Sequence, residues 1–138
     1  MSPYETKRPA DTDRRRKPLE VAEDFVDSEV LRIFLDKSVE WIDQVADEAR
    51  NGKPFFLYLP LTSPHKPVCP QKEFIGKSQA GHYGDFMIET DYRVGQMLAA
   101  LDKHKLARNT IVIFTAIVGG ENTYRDRIAR FGHSSNAR

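Results

Sequence analysis

Gly52-Lys53-Pro54-Phe55-Phe56-Leu57-Tyr58-Leu59-Pro60-Leu61-Thr62-Ser63-Pro64-His65-Lys66-Pro67-Val68-Cys69-Pro70 is the stretch on which the reading of the fold turns. Residues 55–61 form an apolar run of the length expected for a strand buried on both faces. The run stops at Ser63-Pro64-His65-Lys66-Pro67. Pro64 and Pro67 fix φ on both sides of His65 and prevent the strand from continuing. A histidine held just past the carboxyl end of a buried strand sits where open α/β sheets bind their ligands.

Working outward, a helix is expected on each side of this strand. Before it, Leu31, Phe34, Leu35, Trp41, Ile42, Val45 and Ala49 recur at helical spacing with charges between them. Asp27 or Ser28 reads as the N-cap, and Asn51-Gly52 as the end. Trp41 reads as a core anchor, and residues 19–25 as a short, weak strand. After it, residues 71–83 read as irregular, and a second helix is expected over 84–105 with Met87, Val94, Met97, Leu98 and Leu101 as its stripe. Gly95 inside that helix predicts that another backbone passes close by. Asp91 reads as an exposed helix charge.

A second apolar run, Ile111-Val112-Ile113-Phe114-Thr115, follows. Strand, long helix and strand make a βαβ unit with parallel strands and a right-handed crossover. The loop holding His65 and the loop at 116–121 then open on the same edge of the sheet. Two strands of this kind need neighbours on both sides and helices on both faces. The chain is therefore expected to join a complementing chain or a homo-oligomer, since bare strand edges invite pairing.

Composition narrows the function classes. At 138 residues the chain is one domain's worth, long enough to bury roughly 68% of its unfolded surface. Apolar content of 40% with 30% charge is that of a globular protein, not of a disordered tail. A net charge of +1 gives no global field toward nucleic acid or membrane, and neither partner is expected. No apolar stretch approaches the ~20 residues of a bilayer span, and the N-terminus reads as polar, without an export signal. With one cysteine, Cys69, no internal disulfide can form; it reads as an ordinary semi-buried thiol. Residues 1–18 read as a polar, mobile arm, and residues 19–138 as the α/β domain. Acidic neighbours at Asp11, Asp13, Glu20, Glu23 and Asp24 largely offset the basic run Arg14-Arg15-Arg16-Lys17.

Several segments together resemble a known family. Residues 54–59, Ser63-Pro64-His65-Lys66-Pro67, Gly84-Asp85-Phe86, Asp91, Val94-Gly95, Leu98, Leu101-Asp102 and residues 109–115 are similar, in order and spacing, to the sulfatases of the arylsulfatase type, in the alkaline phosphatase superfamily. Glu121-Asn122-Thr123-Tyr124 and Phe131-Gly132-His133-Ser134-Ser135 resemble the segment after the family's metal-binding loop. The resemblance implies a three-layer α/β/α fold, here partial. It also implies hydrolysis of sulfate esters by a formylglycine made from cysteine or serine, with a calcium ion bound by aspartates and an asparagine. It implies that His65 contacts the sulfate or the leaving-group oxygen, where a positioned donor stabilises developing charge.

The rest of the family's catalytic set is not matched. The nucleophile motif is Cys-x-Pro-x-Arg or its serine version, whereas Cys69 is followed by Pro70-Gln71-Lys72. The family carries Ser-Asp-Asn-Gly after the second strand; here the residues are Ala116-Ile117-Val118-Gly119, and aliphatic side chains offer calcium no oxygen. Glu121 and Asn122 come too late in the loop to replace them. His82, His104 and His133 match no catalytic position and read as polar surface or loop residues. The expectation is an incomplete, inactive partial sulfatase with no cofactor of its own and a sulfate ester at the His65 edge. The alternative is a non-catalytic binding or interaction protein on the same scaffold. Family members are mostly exported, so the compartment stays open.

Overall fold

The computed structural model describes residues 22–115. Two long helices, α1 (Val30–Arg50) and α2 (His82–Lys103), pack against each other. Short 3-10 turns precede α1 at Asp27–Glu29, follow the proline loop at Lys72–Phe74, and follow α2 at Ala107–Asn109.

α1 buries Leu31, Leu35, Ser38, Ile42 and Ala46, a stripe of small and aliphatic residues three or four apart. Ser38 fits there because its hydroxyl donates to the Phe34 carbonyl at 2.8 Å, so no polar atom is stranded. Phe34, expected in the stripe, is exposed instead. The start also differs from expectation: Asp27 and Ser28 lie in the 3-10 turn, and the cap is Glu29, whose side chain makes no capping bond to the helix backbone. The end matches. Gly52 has φ 92°, Lys53 N–H donates to the Glu48 carbonyl and Gly52 N–H to the Ala49 carbonyl, closing a Schellman motif. Residues 22–25 form a turn, not a strand, with Phe25 N–H on the Ala22 carbonyl; residues 19–21 lie outside the described residues.

α2 starts earlier than expected because Asp85 organises its approach. The Asp85 carboxylate accepts the N–H groups of Gly76 (2.9 Å) and Ser78 (2.7 Å), folding residues 76–81 onto the first turn. A Cβ on Gly84 would sit 2.0 Å from Ser78 Oγ and 2.9 Å from Ala80 Cβ, so only glycine permits that fold-back. The buried face of α2 is Asp85, Phe86, Glu89, Thr90, Arg93, Ala100 and Leu101. The expected stripe was wrong at Met87 and Leu98, which are exposed. Gly95 also departs from expectation: among the described residues nothing lies within 4 Å of a Cβ placed there. Asp91 is exposed, as expected.

The interface has two apolar clusters. Ile42, Ala46, Ala100, Leu101 and Leu106 form one, with Trp41, Phe55 and Leu57 against it; Leu31, Leu35 and Phe86 form the other, with Leu59, Leu61 and Val68. Met97 touches both. Trp41 is half-buried and meets Phe55 edge to face at 5.4 Å.

The expected strands at 55–61 and 111–115 are extended runs without a ladder, and the described residues contain helices but no strand. A ladder needs a neighbouring backbone, and none among the described residues bonds to either run. The period-2 pattern of a strand is nevertheless present: Phe55, Leu57, Leu59 and Leu61 face the helices, while Phe56 (87%) and Tyr58 (77%) stand in the open. The run is thus covered on one face, not on both. Ile111 and Ile113 are likewise exposed.

Candidate functional site

His65 sits at the turn of the proline-bracketed loop. Its backbone N–H donates to the Thr62 carbonyl at 3.0 Å, and the peptide bonds before Pro64 and Pro67 are both cis. The imidazole Nδ1 lies 2.8 Å from the Lys66 carbonyl oxygen. A carbonyl only accepts, so this bond puts a proton on Nδ1. Nε2 is then an acceptor in the neutral ring and a donor in the imidazolium. The residue is exposed.

The loop around it becomes buried within a few residues. Val68 packs on the Leu31, Leu35 and Phe86 cluster, and Cys69, Pro70 and Gln71 are buried. At its entry, Ser63 Oγ lies 2.8 Å from Thr90 Oγ1. At its exit, the Gln71 N–H donates to Glu89 Oε2 at 2.9 Å. The Gln71 side chain then continues a polar chain, donating to Glu29 Oε1 at 2.7 Å and accepting from Arg93 Nη2. Arg93 is buried beside Glu89, with Nε 3.7 Å from Glu89 Oε1. Burial pushes the Glu89 carboxyl above the ordinary carboxylate range, against the Gln71 amide and the Arg93 charge. Glu29 moves the other way, held down first by its hydrogen bond from Gln71.

Sequence reasoning missed Gln71, Glu89, Thr90 and Arg93. The Glu89/Arg93 spacing of four was a visible signal for a helix-surface pair. Its burial was not visible, because buried charge breaks the apolar stripe that marks a core face.

Other chemistry-bearing residues lie elsewhere. Cys69 is more buried than expected, and burial, with a smaller push from the Asp27 charge, raises its thiol pKa away from the reactive thiolate. His82 lies 3.6 Å from Asp85 within the first turn of α2, and His104 Nε2, just past the end of α2, meets Asp43 on α1. Ile117, Val118, Glu121, Asn122 and His133 lie outside the described residues. Among the described residues no three His, Cys, Asp or Glu side chains converge as a metal site.

The comparisons agree with the motif reading. The family model described as Sulfatase matches residues 6–116, well over half of the chain, and the protein belongs to the sulfatase family. The chain is 33% identical to human arylsulfatase H over 106 residues, which is 77% of this chain and 18% of that protein. It is 37% identical to human N-acetylgalactosamine-6-sulfatase over 90 residues (65% of this chain, 16% of that protein). To the N-acetylgalactosamine-6-O-sulfatase of Bacteroides thetaiotaomicron it is 33% identical over 103 residues (73% and 19%). The chain thus spans less than a fifth of the length of the curated relatives it matches. No solved structure matches it. Family membership implies an α/β fold of the alkaline phosphatase type, to which the described residues contribute the helix pair and two extended runs.

Proposed function

We propose that this chain supplies the His65 edge of a sulfate-ester hydrolase site and does not complete that site alone. The observation that carries the proposal is the His65 imidazole, fixed through Nδ1 on the Lys66 carbonyl and exposed. With Nδ1–H committed, only the imidazolium has an Nε2 proton to give. As the S–O bond of a bound ester breaks, negative charge collects on the bridging oxygen. Nε2–H donates to that oxygen and transfers its proton with the departing alcohol, leaving neutral imidazole still bonded through Nδ1. Across the family, formylglycine supplies the attacking oxygen and calcium neutralises the sulfate. The role we assign to this chain is the leaving-group side.

The test has two arms. Incubation of the purified chain with p-nitrophenyl sulfate and calcium is expected to release no p-nitrophenol above buffer, and turnover would overturn the incomplete-site reading. Titration with the same ester is expected to shift the His65 Nε2 resonance, and an unmoved resonance removes the ester from this edge.

A specific observation favours the second reading, a non-catalytic binding protein: Ile117-Val118 stand where the family carries Asp-Asn. Both readings share a structural need. Phe56, Tyr58, Ile111, Ile113 and Phe114 are exposed apolar side chains on runs that have no backbone partner among the described residues. We assign them to further strands of a sulfatase-type sheet, from a complementing chain or a second copy, because backbone edges of this kind are satisfied by strands.

A further inference from the structure

We infer that Glu89 and Thr90, successive residues on α2, are positioning residues for His65, gripping the proline-bracketed loop at its two ends. The inference rests on the proposed role of His65 only for its functional meaning; the grip itself is a matter of geometry.

The entry grip has a defined direction. Thr90 Oγ1 donates its proton to the Phe86 carbonyl at 2.7 Å, the usual back-bond of a threonine inside a helix. Its contact with Ser63 Oγ at 2.8 Å must therefore take its proton from Ser63. That fixes the Ser63 side chain two residues before His65. The exit grip is the Glu89 carboxylate on the Gln71 N–H, six residues after His65.

Consecutive helix residues rise only about 1.5 Å along the axis, so the two ends of the loop are pinned to neighbouring points of one rigid element. His65 lies between the grips, and its own Nδ1 bond closes on the next residue. The α1 end joins the same grip through Glu29 and Gln71.

Stability alone does not account for Glu89. It is fully buried, yet Glu89 Oε1 and Arg93 Nε have no hydrogen-bond partner and stand 3.7 Å apart, a poor ion pair. A buried pair with imperfect geometry is commonly no more stabilising than apolar residues of the same size. The well-made bond of Glu89 is the one to the loop backbone, and it sets where the loop ends.

The experiment follows the His65 ring directly by nitrogen-detected NMR of the full 138-residue chain. In the unaltered protein the neutral ring is expected as the Nδ1–H tautomer. Thr90→Val and Glu89→Leu should each shift it toward the mixture of free histidine, and Glu89→Leu should also raise amide exchange at Gln71 about tenfold, the scale of one hydrogen bond to a charged group. Methyl signals of Ile42 and Leu101 should stay in place, and Thr90→Ser should restore the tautomer. If Glu89→Leu does not fold, Thr90→Val and its serine rescue decide. A folded Thr90→Val chain with an unchanged His65 tautomer overturns the inference. Failure of p-nitrophenyl sulfate to move the Nε2 signal of the unaltered protein is a separate result, which removes the ester and leaves the grip standing.

Discussion

The helix pair and the extended runs of this chain are both built from apolar residues, but only the helix pair finds its partners among the described residues. α1 and α2 satisfy their backbone bonds internally and bury Leu31, Leu35, Ile42 and Leu101 against each other. The runs at 55–61 and 111–115 cannot satisfy a backbone alone, because a strand's hydrogen bonds are always to another strand. In the first run Phe55, Leu57, Leu59 and Leu61 rest on the helices and Phe56 and Tyr58 remain open, whereas residues 111–115 are exposed throughout. Among the described residues the helical layer is thus self-contained, whereas the two runs have no backbone partner.

The largest effect should come from breaking the helical layer. Leu35 is 1% exposed and central to the cluster with Leu31 and Phe86. Leu35→Ala is expected to cost roughly 2–5 kcal/mol, enough to unfold a marginal domain at room temperature. Urea unfolding followed by circular dichroism measures it. A loss below about 1 kcal/mol would show that the helix pair is not the stabilising unit.

That asymmetry also explains how far the sequence could be read. Helix positions were legible because they depend on spacing within one segment; the end of α1 at Gly52 came out as expected for the same reason. The proline loop was legible as a break, but its anchors were not. Ser63, Gln71, Glu89 and Thr90 are brought together only by packing. On α2 the periodicity misled, since Met87 and Leu98 look like core while Glu89 and Arg93 occupy it. The expected strands rested on apolar runs, and among the described residues neither run forms a ladder, because no sequence of one segment states which neighbour would complete it.

Gly95 offers a smaller and opposite test. It lies in the interior of α2, exposed and with open space around it. Gly95→Ala should stabilise the helix by about 1 kcal/mol, through helix propensity alone. A destabilisation in the urea midpoint would instead reveal a backbone approaching this face, so the helical layer would have a neighbour of its own.

Acid should weaken the polar ties of the helical layer in a definite order of sign. Glu29 and Asp43 are held below their ordinary values of 4.5 and 3.8, Glu29 first by Gln71 and Asp43 first by His104. Each contributes stability that is present above its ordinary value and is lost as pH falls through its depressed folded value. Glu89 is raised by burial, so its contribution is complete below 4.5 and is lost as pH rises through the folded value. Glu29→Gln should flatten the acid limb of a stability–pH curve, and an unchanged limb would show that the Gln71 tie carries no weight.

The smallest effect on stability belongs to the open strip, and it separates the two regions most directly. Phe56 and Ile113, at 87% and 82% exposure, touch too little for their removal to be felt in the helical layer. Phe56→Ser with Ile113→Ser should shift the unfolding free energy by no more than about 0.5 kcal/mol per site. The same pair should lower self-association in sedimentation, since it removes apolar surface beside an unpaired edge. A loss approaching that of Leu35→Ala would mean that the strip is already covered in solution. The contrast between a self-sufficient helical layer and a waiting sheet would then fail, because a strip that contributes to stability has found its strands.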